Sequence, residues 1–148
     1  MNEKREFIRQ FKEVQPKFSR LYARILTQAG LSLSHFALLS QLASGEPVSM
    51  TEISARLHVS KPAVTHLVDR LEKEKFLKRI PHAQDRRVSL LQILPRGRSV
   101  VQRTQGQALS FLLKALDPLS ASERKTITRF YALLAVVMEE ALGKGRRL

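Results

Sequence analysis

Between Ser49 and Phe76 the sequence SMTEISARLHVSKPAVTHLVDRLEKEKF carries two helix starts with room for only a short turn between them. Ser49 and Glu52 form a Ser-x-x-Glu capping box, in which hydroxyl and carboxylate each accept from a backbone N–H that the first helical turn leaves orphaned. The helix it opens turns Ile53 and Leu57 inward and ends near Leu57. Ser60 then caps a second helix with Pro62 in its first turn, where a missing N–H costs nothing. Val64, Leu67, Val68 and Leu71 recur at i, i+3, i+4 and i+7 and make its core face. At ~100° per residue the opposite face collects Pro62, Thr65, His66, Asp69, Arg70 and Lys73, all short, polar or basic. A short helix, a tight turn and a second helix with a polar outer face is the helix-turn-helix arrangement. An ordinary helical hairpin shows the same pattern, so the residues that follow decide between them.

Those residues read as a β-hairpin. FLKRI and VSLLQIL are short runs of β-branched and large apolar residues joined by the polar turn PHAQDRR. Its tip projects Arg86 and Arg87 into solvent beside the polar helix face, with no local charge to neutralise both of them. The chain as a whole has the same imbalance: 26 basic against 13 acidic side chains, a formal net charge of +13, which calls for a polyanion or an anionic surface. Double-stranded DNA supplies the missing counter-charge. Ser60, Lys61, Pro62, Thr65, His66, Arg70 and Lys73 are then the expected contacts from the helix, with Arg86 and Arg87 those of the hairpin, where arginine suits a narrow minor groove. Asp85 is expected to orient the hairpin tip by holding one of these arginines in a fixed rotamer.

The flanking sequence is helical in period. Phe7, Phe11, Val14, Phe18, Leu21 and Ile25 form a seam that predicts a helix over about 4–28, bent or split at Pro16. Ser32 caps the next helix, with Phe36, Leu39 and Leu42 inward. From Pro95 a long helix carries Val100, Val101, Thr104, Leu109, Leu112 and Leu116, and a second capping box, Ser120 with Glu123, opens a helix bearing Ile127, Phe130, Leu134 and Val137. These faces are more apolar than one small domain requires. Phe7, Phe11, Phe18, Ile127, Phe130 and Leu134 are therefore expected to pair two subunits, the alternative being helices that cover their own core. The GKGRRL end reads as a basic, disordered tail.

Other function classes find little support. No cysteine is present, which removes disulfides, thiolate metal sites and thiol redox sensing. His35, His58, His66 and His82 do not fall at metal-binding i, i+4 spacing, and Glu139 and Glu140 point about 100° apart on a helix, wrong for paired acid–base work. No phosphate loop, nucleophile elbow or dinucleotide fingerprint occurs. No apolar run approaches the roughly 20 residues of a membrane span, and MNEKREFIRQFKE is not a signal peptide. The expectation is a soluble, cytoplasmic, non-enzymatic protein without metal or cofactor.

LSLSHFALLSQLA, MTEISARLHVSKPAVTHLVDRLEKEKFLKR and DRRVSLLQILPRG together resemble the MarR family of winged helix-turn-helix transcriptional regulators, over nearly the whole chain. The family's wing signature, Asp-x-Arg followed by Leu-Thr-x-x-Gly, has its counterpart in Asp85, Arg87, Ile93, Leu94 and Gly97. Two positions depart from it: Leu94 replaces a capping threonine, and Lys75 stands where glycine commonly ends the recognition helix. The resemblance implies a mainly α fold with a small β-hairpin wing, a single domain over 1–148 with a DNA-binding lobe at about 32–94 and dimerisation helices at about 4–28 and 95–142. It further implies a homodimeric, ligand-responsive repressor of a near-palindromic operator, with a small-molecule effector, often a small aromatic or phenolic acid, bound between dimer helices and DNA-binding lobe. A sequence-indifferent architectural DNA protein and a protein-interaction subunit on the same fold are the competing readings.

Overall fold

A computed structural model describes residues 2–144 and resolves two compact units, the first ending at Ala108 and the second beginning at Leu109. In the first unit α1 (Asn2–Gln28) is followed by α2 (Leu33–Gln41), β1 (Val48–Ser49), α3 (Met50–Leu57), α4 (Lys61–Lys73), β2 (Leu77–Pro81), β3 (Ser89–Ile93) and the start of α5 (Pro95–Leu116). The helix starts obey the capping chemistry of the sequence. The hydroxyls of Ser32, Ser49 and Ser60 accept from the backbone N–H groups of His35, Glu52 and Ala63. At Ser49 the reciprocal glutamate bond is replaced, because the Glu52 carboxylate pairs with Arg56 one turn on. Pro16 does not divide α1, which runs as one helix through it. A proline forfeits a single N–H bond, and the surrounding turns retain theirs.

Leu26, Leu38, Leu39, Leu42, Ile53, Val64, Val68, Leu71, Phe76, Leu77, Leu91 and Val101 are all but excluded from solvent and form the core of this unit. Leu57 and Leu67, expected inward, are partly buried at its rim, as is Phe36. The hairpin pairs Leu77 with Ile93, Arg79 with Leu91 and Pro81 with Ser89 in antiparallel register. Leu77, Leu91 and Ile93 thereby turn inward by the period-two alternation of strands. The sequence reading missed β1, whose two residues pair Val48 with Leu91 and Ser49 with Leu90, giving a sheet of order β1-β3-β2. Two residues carry too little periodicity to announce a strand, yet this one covers the open edge of β3.

In the second unit the rest of α5 leads through Asp117–Ser120 into α6 (Ala121–Lys144). Ser120 and Glu123 complete a reciprocal capping box: Glu123 N donates to the serine hydroxyl oxygen (3.3 Å) while Ser120 N donates to the Glu123 carboxylate (2.7 Å). The Arg124 guanidinium donates to the carbonyls of Leu116 and Asp117, satisfying the end of α5. Of the GKGRRL end, Gly143 and Lys144 continue α6 and the remainder lies outside the described residues. No helix among the described residues is long and apolar enough to cross a membrane.

Candidate nucleic-acid interface

The turn between α3 and α4 is short because α3 stops on a left-handed residue. His58 has φ +53°, its N–H donates to Ala55 O and that of Val59 to Ser54 O, while the Ser54 hydroxyl donates back to Val59 O (2.6 Å). Two residues later Ser60 caps α4. Val64, Val68 and Leu71 hold one face of α4 fully buried, which leaves Lys61, Pro62, Thr65, His66, Asp69, Arg70 and Lys73 on the other, where they meet solvent to differing degrees.

α4 ends as abruptly as it starts. Lys75 N donates to Glu72 O (3.0 Å) and Phe76 N to Leu71 O (2.9 Å), a Schellman closure with Lys75 at φ +60°. This is the position at which glycine would be unstrained, and a side chain there costs about 1 kcal/mol. Phe76, the residue after it, is buried against the core and carries the Arg96 guanidinium 4.3 Å above its ring. Arg96 also donates to the Glu74 carbonyl (2.5 Å), so the foot of α5 neutralises the negative end of α4. Gly97 lets the two segments meet: a Cβ there would lie 2.2 Å from the Phe76 carbonyl oxygen, which already accepts from Leu94 N (3.0 Å).

The wing is tied to α4 by a residue the sequence reading did not single out. Arg79 on β2 donates to Asp69 (2.6 Å) and to the Glu72 carboxylate, and its backbone N–H donates to the same carboxylate (2.8 Å). Its side chain is 27% exposed, the most sheltered of the ion-paired arginines in this unit. Strand alternation contained the signal, since Arg79 shares a face with the buried Leu77 and a cation turned inward needs a partner. Asp69 therefore belongs to this brace, although it lies on the exposed face of α4.

At the wing tip Asp85 Oδ1 accepts from both the Arg87 backbone N–H (3.0 Å) and Arg87 Nε (3.2 Å). These two bonds, the backbone one first, hold the Asp85 carboxyl below its ordinary pKa. The Arg87 side chain remains 92% exposed, and Arg86 is exposed beside it. Arg70 lies differently from Thr65 and His66: its guanidinium donates to Gly30 O (2.8 Å) and approaches Glu74 (3.3 Å), fastening α4 to the α1–α2 turn. Buried His35 forms the second half of the α2 cap, its Nδ1 accepting from Ser32 N (3.1 Å). Burial, and then the Arg70 charge, depress the His35 pKa. Among the described residues no group of three or more histidine, aspartate or glutamate side chains is placed to hold a metal ion.

The dimerisation candidates are exposed to differing degrees. Phe11 is 56% exposed on α1, stacked on the exposed Phe7, with Phe18 partly buried; on α6, Phe130 and Leu134 are exposed and Ile127 partly so.

Known proteins share this geometry. The model of the MarR family matches residues 29–88, the stretch from the α1–α2 turn through α3, α4 and the wing tip. An uncharacterised HTH-type transcriptional regulator of Bacillus subtilis, YfiV, is 26% identical over 132 residues, 82% of each chain. The crystal structure of the transcriptional regulator Tm0710 of Thermotoga maritima is 27% identical and superposes with a TM-score of 0.71, covering 94% of this chain and 98% of that one. A mutant of S. aureus MepR, solved bound to an oligodeoxyribonucleotide, shares the fold with a TM-score of 0.70 at 17% identity, over 89% and 97% of the two chains. The family pattern thus lies on the helix-turn-helix and its hairpin, which resemble those of the MarR family, and the fold is matched over almost the full length of the chain.

Proposed function

We propose that this chain is a DNA-binding transcriptional regulator, a homodimeric repressor that reads a near-palindromic operator and releases it on binding a small molecule. The observation that carries the reading is the joined pair of exposed elements, the polar face of α4 and the wing tip with Arg86 and Arg87, held in one orientation by the Arg79 brace. α4 enters the major groove, with Ser60, Lys61 and Pro62 at its N-terminus near the phosphates, Thr65 and His66 at base edges and Lys73 on the backbone. Arg70 reaches DNA only by giving up Gly30 O, so its role is divided between contact and scaffold. Arg87, steadied by Asp85, enters the adjacent minor groove. MepR, a protein of the same fold, has been solved on an oligodeoxyribonucleotide, which supports double-stranded DNA as the partner.

Dimerisation is supported by the apolar surface at the two ends of the chain, where Ile8, Phe11 and Val14 on α1 and Leu133, Val136 and Val137 on α6 stand well exposed. A cavity of about 310 Å³ between α1 and the start of α2, lined by Phe18, Tyr22, Ala23, Leu26, Leu31 and Leu33, suits a small aromatic effector. The test is a set of variants on operators with A/T-rich and G/C-rich flanks. Arg87→Ala is expected to weaken binding most where flanks are A/T-rich, and Asp85→Ala to imitate it more mildly. Tighter binding by Asp85→Ala, or no flank effect for Arg87→Ala, would refute the wing assignment.

A further inference from the structure

The chain between β2 and β3 must project two arginines without a hydrophobic anchor of its own, and its backbone is organised instead by a side chain to which no role has been given. His82 Nδ1 accepts from the backbone N–H of Gln84 (3.2 Å) and from that of Asp85 (3.3 Å). The His82 backbone N–H donates to Val88 O (3.0 Å), and Val88 N donates to Asp85 O (3.0 Å). The bond to the residue two positions on is the one an asparagine makes in an Asx-turn, here made by an imidazole. Asp85 repeats the device one step further, accepting from Arg87 N. The tip is thus a relay of two side-chain-capped turns, His82 fixing the peptide of Asp85 and Asp85 fixing Arg87. Without the first, the carboxylate that steadies the arginine is itself mobile.

We infer that His82 is a positioning residue for the wing arginines, acting through the acceptor at Nδ1 that holds the Gln84 and Asp85 amides. A side chain with no acceptor at this position leaves both amides without their partner. The chain entering β3 presents the Val88 carbonyl, which the His82 backbone N–H occupies. The inference rests on the wing reading proposed above.

The test uses full-length wild type, His82→Phe and His82→Asn. Phenylalanine keeps a ring but has no acceptor, whereas the Asn Oδ1 stands where Nδ1 stood. With two neutral hydrogen bonds at stake, operator affinity of His82→Phe should fall about fivefold to tenfold at neutral to alkaline pH, with the loss concentrated on A/T-rich flanks and reversed by His82→Asn. In NMR hydrogen-exchange measurements the amide protons of Gln84 and Asp85 should be protected in wild type and in His82→Asn and exchange faster in His82→Phe. If Arg87→Ala weakens the operator but His82→Phe matches wild type, or the two amides stay equally protected in His82→Phe, the inference is overturned while the wing reading stands. If Arg87→Ala has no effect, the wing reading itself falls and the inference with it.

Discussion

Replacing Gly97 with alanine sets two physical effects against each other, and the structure decides the sign. Gly97 lies inside α5, where alanine gains about 1 kcal/mol of helix propensity over glycine. The new Cβ would stand 2.2 Å from the Phe76 carbonyl oxygen and 3.0 Å from Ile93 Cγ1. The obstacle is backbone at the closure of α4, so no rotamer change relieves it and the start of α5 must withdraw by on the order of 1 Å. Withdrawal strains the Leu94 N–H bond to Phe76 O and the seat of Arg96 on the Phe76 ring. Overpacking of this kind costs about 1–3 kcal/mol, at the upper end against backbone. A weakened hydrogen bond adds roughly 1 kcal/mol. The net expectation is a loss of about 2–3 kcal/mol, or a melting temperature lower by roughly 4–12 °C. Gly106, on the same helix with nothing within 4 Å of its would-be Cβ, is the internal control. Gly106→Ala should gain about 0.5–1 kcal/mol. Urea midpoints at unchanged m-value measure both; a Gly97→Ala protein as stable as wild type would refute the close-approach argument.

Three further outcomes follow from the same contacts. Lys75→Gly should raise stability by about 1 kcal/mol because it relieves a left-handed residue, with Lys75→Ala giving no such gain in chemical denaturation. Arg79→Met should weaken operator binding more than Lys78→Met, which removes the same charge from an exposed neighbour, while costing only about 1 kcal/mol of stability because the ion pairs are partly screened; equal binding losses would show that net charge, not bracing, matters. His35 is depressed in the folded chain by burial and then by Arg70, so the folded state favours neutral imidazole. Its contribution is complete above the unfolded value of about 6.5 and is lost as pH falls below it towards the folded value; His35→Asn should flatten that acid limb of urea midpoints, and an unchanged limb would contradict the assignment.

Much of the helix-turn-helix unit was legible because its helices are written in side-chain chemistry that acts locally. Ser32, Ser49, Ser60 and Ser120 each announce a helix, and each caps one. The hairpin was legible for the same reason: apolar runs of strand length on either side of a polar turn. What escaped depends on partners distant in sequence. β1 exists only because β3 pairs with it, and the role of Gly97 only because the Phe76 carbonyl lies opposite. Arg70 looked like a pure surface residue by helical phase, yet its guanidinium reaches Gly30, forty residues away. The split that Pro16 could have made did not occur, because one missing hydrogen bond leaves the turns on either side of it intact.

The central claim is that α4 and the wing together read sequence. It is tested most directly by selecting the preferred duplex from random DNA and comparing its affinity with that of a scrambled duplex of equal length, by fluorescence anisotropy at fixed salt. A sequence reader should prefer its operator by at least ~10³-fold at physiological salt. Equal affinity for both duplexes would instead make this chain a sequence-indifferent DNA coat driven by its +13 charge, and absence of binding to either would remove DNA from the account.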